Sequence, residues 1–318
     1  MKKILITGAC GFIGFHLSKK LCELGYFVVG IDNFLGQNKN LISQRLKILK
    51  KFKNFYFLKV DLSKSINLKS KNKYYAVIHL AAIPGVRESQ KNSKKYFKNN
   101  IVSFYNIIEY SKNNSNLFLY ASSSSVYGNN QKRKIGSDES TTKINSLSFY
   151  ALTKEINEKF ANFYSNKNFK CFGLRFFSVY GDYGRSDMAY YKFPLKVIEG
   201  NKIILNNQGN DLRDFTHISD VVAGIYKLIL SAKKIKNSEV FNFGANRPVK
   251  VKKIIHIIKK KINLKFTILN ERKNKFDPYV TNANIARSKK FFGYNPKVKF
   301  EDGYNKFLDW FLIYHKIN

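Results

Sequence analysis

The first 32 residues constrain the fold most. An apolar run, Lys3-Ile4-Leu5-Ile6, leads into Thr7-Gly8-Ala9-Cys10-Gly11-Phe12-Ile13-Gly14 and a helical pattern over 15–24; a second apolar run, 26–31, stops at Asp32. Strand, glycine turn, helix, strand and acid therefore follow one another. Glycines let a backbone turn tightly and approach a pyrophosphate, while the helix N-terminus offers N–H donors and positive dipole potential to the anion. A carboxylate closing the second strand can bind both hydroxyls of an adenosine ribose and would repel a 2′-phosphate, which favours NAD over NADP. The spacing is GxxGxxG rather than GxGxxG.

The rest of the chain continues the alternation. Parallel strands are expected at 4–7, 27–31, 55–60, 76–80, 117–122 and 171–176, separated by helical patterns near 12–24, 38–52, 93–112 and 148–166. That order predicts an α/β fold, a Rossmann-type doubly wound parallel sheet. Beyond Phe177 the pattern loosens, with a helix over 187–200, a short strand at 202–205 and a helix from Ser219. Residues 240–243 are positioned to return to the main sheet, and helices are expected near 251–262, 283–292 and 301–316. This divides the chain into a nucleotide-binding domain, 1–177, joined by 217–243, and a smaller C-terminal mixed α/β lobe for substrate, 178–216 and 245–318. No internal repeat or low-complexity linker separates them.

Chemistry enters at Tyr150-Ala151-Leu152-Thr153-Lys154, downstream of the run Ser122-Ser123-Ser124-Ser125. Side chains at i and i+4 share a helix face, so the Lys154 ammonium can favour the Tyr150 phenolate and draw its pKa toward neutrality. With a serine hydroxyl to share the proton, the pair is a device for oxidising an alcohol. The same YxxxK spacing taken alone also fits an amphipathic helix with a buried Tyr and a solvated Lys.

Composition fits a cytoplasmic enzyme. The chain has 318 residues, and its first apolar run is too short for a signal segment or a membrane span. Cys10, Cys22 and Cys171 have no metal-ligand spacing, and the five histidines form no HxxxH pattern, so no metal site is expected. The net charge of +36 invites a nucleic-acid reading, but the lysines are spread over nearly the whole chain with no separate basic arm. No specific nucleic-acid partner is expected.

These residues together resemble the extended short-chain dehydrogenase/reductase superfamily of nucleotide-sugar epimerases and dehydratases. Its carriers, in order, are the glycine loop, Asp32-Asn33, Val60-Asp61-Leu62, His79-Leu80-Ala81-Ala82, Asn100, Ala121 to Gly128, Tyr150-x-x-x-Lys154, Leu174 to Phe177 and Arg213-Asp214-Phe215. The resemblance implies Ser123, Tyr150 and Lys154 as catalytic residues. It implies NAD contacts at Gly8, Gly11, Phe12, Ile13, Gly14, Asp32, Asn33, Asp61, Leu62, Leu80, Ala81, Ala82 and Asn100, with Tyr150 and Lys154 also touching the cofactor. A homodimer built on the helices near 93–112 and 148–166 is implied as well.

Where sugar-nucleotide dehydratases carry Asp-Glu, this chain has Ser124-Ser125, so the acid and base for elimination are missing and reversible C4 oxidation remains. The run Leu174 to Ala189 is similar to the LRFFTVYGPWGRPDMA signature of UDP-glucuronate 4-epimerases, as are Gly85-Val86-Arg87 and the four serines. The resemblance implies a UDP-sugar substrate, with Arg87, Ser124, Ser125, Ser178, Arg185, Arg213 and Asp277 contacting it and Arg185 facing a sugar carboxylate. Arg185 could instead pair with Asp187 or a phosphate, and Arg213 could form a structural ion pair. Ser178 for Thr, Asp182-Tyr183 for Pro-Trp, Ser186 for Pro, and Asn274-Lys275-Phe276 before Asp277 depart from the pattern. UDP-glucose or UDP-N-acetylglucosamine 4-epimerases and UDP-glucuronate decarboxylases would share Tyr150 and Lys154. An idle NAD sensor or RNA-binding protein would keep the fold alone.

Overall fold

The computed structural model describes every residue except 36–37, 65, 67, 69–72, 130–135, 141, 273–276 and 318. Seven strands form the central sheet: β1 (Lys3–Thr7), β2 (Phe27–Asp32), β3 (Phe55–Lys59), β4 (Ala76–His79), β5 (Leu117–Ser123), β6 (Lys170–Phe176) and the late-arriving β11 (Glu239–Phe243). Their spatial order is β11-β6-β5-β4-β1-β2-β3, and every pairing is parallel. The order reverses between β1 and β4, which opens a crevice beyond the C-terminal strand ends, where ligands bind in folds of this type.

Parallel strands buried on both faces need apolar side chains at nearly every position, which is why they read as unbroken hydrophobic runs. Ile4, Ile6, Val28, Ile78, Leu119 and Leu174 point to one face, against α1 (Phe12–Glu23) and α8 (Ile218–Ser231). Leu5, Val29, Val77, Phe118 and Tyr120 point to the other, where α5 (Ser103–Asn114) supplies Phe104, Ile107 and Ile108. The helix expected over 93–112 is broken into α4 (Ser93–Tyr96), a π-helical turn (Phe97–Val102) and α5, with a further short helix, α3 (Val86–Lys91), before them. Inside the π turn, Asn100 accepts from the Ile83 N–H at 2.8 Å and donates to the Ile83 carbonyl at 3.0 Å, so the extra backbone residue serves to dock the loop that follows β4.

A second core is aromatic. It gathers Tyr190 and Tyr191 of α7 (Ala189–Ile198), Phe215 of β10 (Phe215–His217), and Phe300, Tyr304, Phe307 and Phe311 of α11 (Phe300–His315). Four isoleucines of α9 (Lys252–Lys261) complete it. Around this core lie three two-stranded pairs: β7 (Ser178–Tyr180) with β10, β9 (Leu212–Arg213) with β12 (Val249–Lys250), and β8 (Ile203–Asn206) with β13 (Ile268–Glu271). Leu41 of α2 (Lys39–Leu49) joins the same core from between β2 and β3 in sequence. The described residues contain no helix long and apolar enough to cross a membrane.

One buried polar cluster ties the sheet to α6 (Phe149–Tyr164). Arg175 of β6 forms a two-pronged pair with Glu158 of α6, Nε to Oε1 at 2.8 Å and Nη2 to Oε2 at 2.7 Å, and donates to the Tyr127 hydroxyl at 2.9 Å. Ser122 of β5 donates to the same Glu158 at 2.5 Å, and Tyr127 donates to Asn242 of β11 at 2.8 Å. Removing one partner of such a pair strands a buried charge, at a cost of about 3–5 kcal/mol. Arg175→Met should therefore lower the unfolding free energy in urea by that amount, and adding Glu158→Gln should recover part of the loss. Additive losses in the double variant would contradict the pairing.

Candidate active site

The crevice beyond β1 and β4 is shaped by close backbone approach. Gly8 has φ +70°, and a Cβ there would sit 2.7 Å from the Ala81 nitrogen; at Gly14 a Cβ would lie 2.0 Å from the Gly8 carbonyl oxygen. Both positions exclude any side chain. Gly11 begins α1 with no side-chain cap, so the first N–H groups of that helix remain available to an anion. Asp32 accepts from the Cys10 N–H at 3.0 Å and the Phe34 N–H at 2.8 Å, one bond on each oxygen. Further lone pairs remain for ribose hydroxyls. Asn33 receives the Leu35 N–H, and Asp61 is braced by Ser63 through both its N–H and its hydroxyl.

Leu80, Ala81 and Ala82 follow β4 and stay partly exposed along the crevice, whereas Leu62 is buried in the core. A pocket at the far end, lined by Leu35, Asp61, Ser93, Lys98 and Asn99, has a volume of about 610 Å³. Phe12 is buried and Ile13 half-buried on the first turn of α1. Asn100 is 1% exposed with its amide committed to Ile83 and to Thr153, so it positions the crevice wall. The cradle, the open helix end and the carboxylate fit a dinucleotide.

The proton-transfer residues converge from two elements. Ser123 ends β5 and caps the short 3₁₀ turn Ser124–Tyr127; its Oγ accepts from the Ser125 hydroxyl at 2.9 Å and the Ser125 N–H at 3.2 Å. Tyr150 lies in the first turn of α6, whose N-cap Ser148 accepts from the Ala151 N–H at 3.1 Å. The Ser123 hydroxyl lies close enough to Tyr150 to favour its phenolate. The chain of hydroxyls Ser125, Ser123 and Tyr150 thus runs into the crevice. Lys154 is buried, with Nζ donating to the Ala121 carbonyl at 2.9 Å and lying 5.8 Å from the Tyr150 ring centroid.

The electrostatics differ from the sequence expectation. Burial raises the Tyr150 pKa above the usual phenol value, opposed by the Arg185 charge and the Ser123 hydroxyl. Burial also lowers Lys154 to about 8, with Glu158 pulling the other way. An ammonium held by a carbonyl and itself desolvated does not offset the burial of the phenol. Thr7 and His79 bridge β1 and β4 at 2.7 Å beneath the site, and burial lowers His79 to about 3, so its imidazole is neutral.

Residues assigned to substrate fall into two groups. Arg185 lies close enough to Tyr150 for each charge to act on the other, but its Nε and Nη2 are bound to the Asp187 carboxylate at 3.0 and 2.6 Å. Farther out, Arg87 of α3 forms an ion pair with Asp277, and Arg213 of β9 pairs with Asp211 at 3.3 Å while sensing both Arg87 and Asp277. Ser178 opens β7 and is bound through its N–H to the Asp214 carbonyl at 3.0 Å. Asn274, Lys275 and Phe276 lie outside the described residues.

Several supporting residues were given no role in the sequence reading. Glu158 and Asn242 anchor the floor, and Ser89 of α3 accepts the Tyr150 N–H at 3.0 Å. The Asp214 carboxylate gathers the N–H groups of Ala245, Asn246 and Ala283 at 2.7–3.0 Å. Arg45 is the least expected, since one Arg within a basic helix resembles any of 57 basic residues. The residue is 5% exposed, and its guanidinium joins the glycine loop to the segment before Arg185.

Comparison with known proteins agrees with this geometry. A protein of Methanocaldococcus jannaschii without an assigned activity is 43% identical over 98% of this chain and 96% of its own. UDP-glucuronate 4-epimerase 2 of Arabidopsis thaliana is 34% identical over 98% of this chain and 76% of the plant protein. The crystal structure of UDP-glucuronic acid 4-epimerase from Bacillus cereus, in complex with UDP-glucuronic acid and NAD, superposes with a TM-score of 0.86 at 31% identity, covering 98% of this chain and 99% of that one. Residues 4–244 match the model of the NAD dependent epimerase/dehydratase family, and with its glycine cradle, Asp32 and the Ser123–Tyr150 pair the chain belongs to that family as an NAD-dependent nucleotide-sugar 4-epimerase.

Proposed function

We propose that the chain interconverts UDP-glucuronate and UDP-galacturonate through a 4-keto sugar. The observation that carries the uronate assignment is a guanidinium, Arg185, beside the Tyr150 phenol in a Gly-Arg-x-Asp-Met-Ala segment. Two of its five N–H donors serve Asp187, which leaves the Nη1 edge for a sugar carboxylate. Similarity over 98% of this chain to the Bacillus cereus and Arabidopsis enzymes supports the same substrate.

In this reading Tyr150, as phenolate, takes the proton of the C4 hydroxyl while Ser123 holds the oxygen, and Ser125 keeps Ser123 oriented to donate. NAD, when bound, accepts the C4 hydride and returns it, and its cationic ring favours the phenolate that burial alone opposes. Lys154 holds the nicotinamide ribose and keeps a positive charge near the phenol. Arg213 and Arg87 bind the diphosphate, which lets the sugar turn over between the two hydride transfers while the nucleotide stays fixed. Arg185 and the Ser124 hydroxyl keep C5–C6 near the carbonyl plane, so that the β-keto acid does not lose carbon dioxide.

The Arg185–Asp187 pair supports a second reading. A guanidinium already neutralised needs no substrate carboxylate, which suits a UDP-glucose or UDP-N-acetylglucosamine 4-epimerase. Turnover of a UDP-sugar panel with product stereochemistry resolved decides between them. We also propose a homodimer through α5 and α6, because Tyr105, Leu152 and Phe163 stand exposed there, Phe163 at 81%.

Tyr150→Phe should keep the fold and reduce turnover by roughly a hundredfold to ten-thousandfold, as loss of a positioned acid/base does; stopped-time product assays of near-wild-type rate would refute its role. Arg185→Ala should reduce kcat/KM for UDP-glucuronate by up to about 2–5 kcal/mol, far more than for UDP-glucose, with some UDP-pentose released. Equal losses on both sugars would assign Arg185 to the loop or the diphosphate. Sedimentation at physiological salt should give a dimer that Phe163→Asp dissociates and that weakens as salt is lowered, because the subunits are strongly basic. A wild-type monomer at micromolar concentration would contradict the interface.

A further inference from the structure

Arg45 is a buried cation held by carbonyl oxygens from two separate loops. Its Nη1 donates to the Cys10 carbonyl of the glycine loop at 2.9 Å. Its Nε donates to the Tyr183 carbonyl at 3.1 Å, and Nη2 to the Gly184 carbonyl at 3.0 Å and again to that of Tyr183. Among the described residues no carboxylate lies within ion-pair distance of it and the Asp32 charge reaches it only from farther away, so carbonyl dipoles replace its hydration at contact distance. Such an arrangement is costly unless it fixes something.

What it fixes is the turn just before Arg185. Tyr183 has φ +53°, a left-handed conformation that a tyrosine rarely adopts, and its ring is wedged between Phe15 of α1 and Trp310 of α11, at 5.2 and 4.9 Å between centroids. A second tie runs parallel to the first: His16, one turn into α1, meets the Asp182 carbonyl through Nε2 at 2.8 Å. Burial lowers His16 to about 4, so a neutral imidazole makes that bond. The backbone from Asp182 to Gly184 is therefore pinned to the glycine loop and its helix. The next residue is Arg185, beside Tyr150.

We propose that Arg45 is a positioning residue that couples the two binding sites: ordering the glycine loop around NAD orders the turn that presents Arg185 to the sugar, and a bound sugar tightens the grip on NAD. Coupling of this kind is reciprocal, so it can be read from either ligand. Lysine cannot substitute, because a single ammonium on a flexible stem does not span three carbonyls in a planar fan. The inference rests on a UDP-sugar being the substrate and is independent of which sugar that is.

The test is the affinity for NAD, titrated by calorimetry with and without saturating UDP-glucuronate or UDP-glucose. For wild-type protein at least one of the sugars should tighten NAD binding about 5-fold or more, within the usual range of coupling between sites. In Arg45→Met and in Arg45→Lys that factor should fall toward one. His16→Ala, which leaves Arg45 in place, should reduce it only in part. Tightening by UDP-glucose alone would overturn the uronate reading and still support the coupling. Failure of both sugars to tighten NAD in wild-type protein, or a factor unchanged in Arg45→Lys, would overturn the proposal; because Arg45→Lys keeps the buried charge, it serves if Arg45→Met does not fold.

Discussion

The approach of the Gly8 backbone to Ala81 and to Gly14 is the constraint on which the site depends. With no side chain at either glycine, β1, the loop and α1 close against the end of β4, and the open N-terminus of α1 faces the crevice. Thr7 and His79 lock the two strands beneath that contact. Once this corner is fixed, β5 delivers Ser123 and α6 delivers Tyr150 to the same opening, one strand away. Alanine at Gly14 would collide with a carbonyl oxygen, so the corner has no conservative substitute.

The polar interior serves position more than stability. Glu158 lies one turn beyond Lys154 on α6 and binds both Arg175 and Ser122, so the helix that carries the phenol and the strand that carries the serine share a buried anchor. Arg45 and His16 extend that logic across the crevice to the turn at 182–184. Buried charges held in this way contribute little net free energy relative to apolar packing, but they specify one geometry.

The central sheet was legible because buried parallel strands must be apolar throughout, and β11 could be expected because residues 240–243 repeat that pattern. The break within 93–112 was not, since a π turn leaves no mark on hydrophobic periodicity; its cause is Asn100 bonding to Ile83, a contact made across the fold. At the site, the YxxxK spacing placed Tyr150 and Lys154 one helical turn apart, whereas Ser123, on a separate strand, followed only from the family resemblance. The Arg185–Asp187 pair, two residues apart, was one of the alternatives the sequence offered. The spacing did not reveal that burial would raise the phenol's pKa, because desolvation depends on neighbours from other elements. Glu158, Asn242 and Arg45 stayed hidden for the same reason: each acts on residues far away in sequence.

The central claim is reversible oxidation at C4 of a UDP-uronate with the hydride retained on the enzyme. The most direct measurement follows UDP-glucuronate carrying deuterium at C4 through incubation with the purified protein and NAD. The account predicts UDP-galacturonate with deuterium still at C4 and no accumulation of reduced cofactor. Loss of the label to solvent, net formation of NADH, or a pentose as the main product would contradict it.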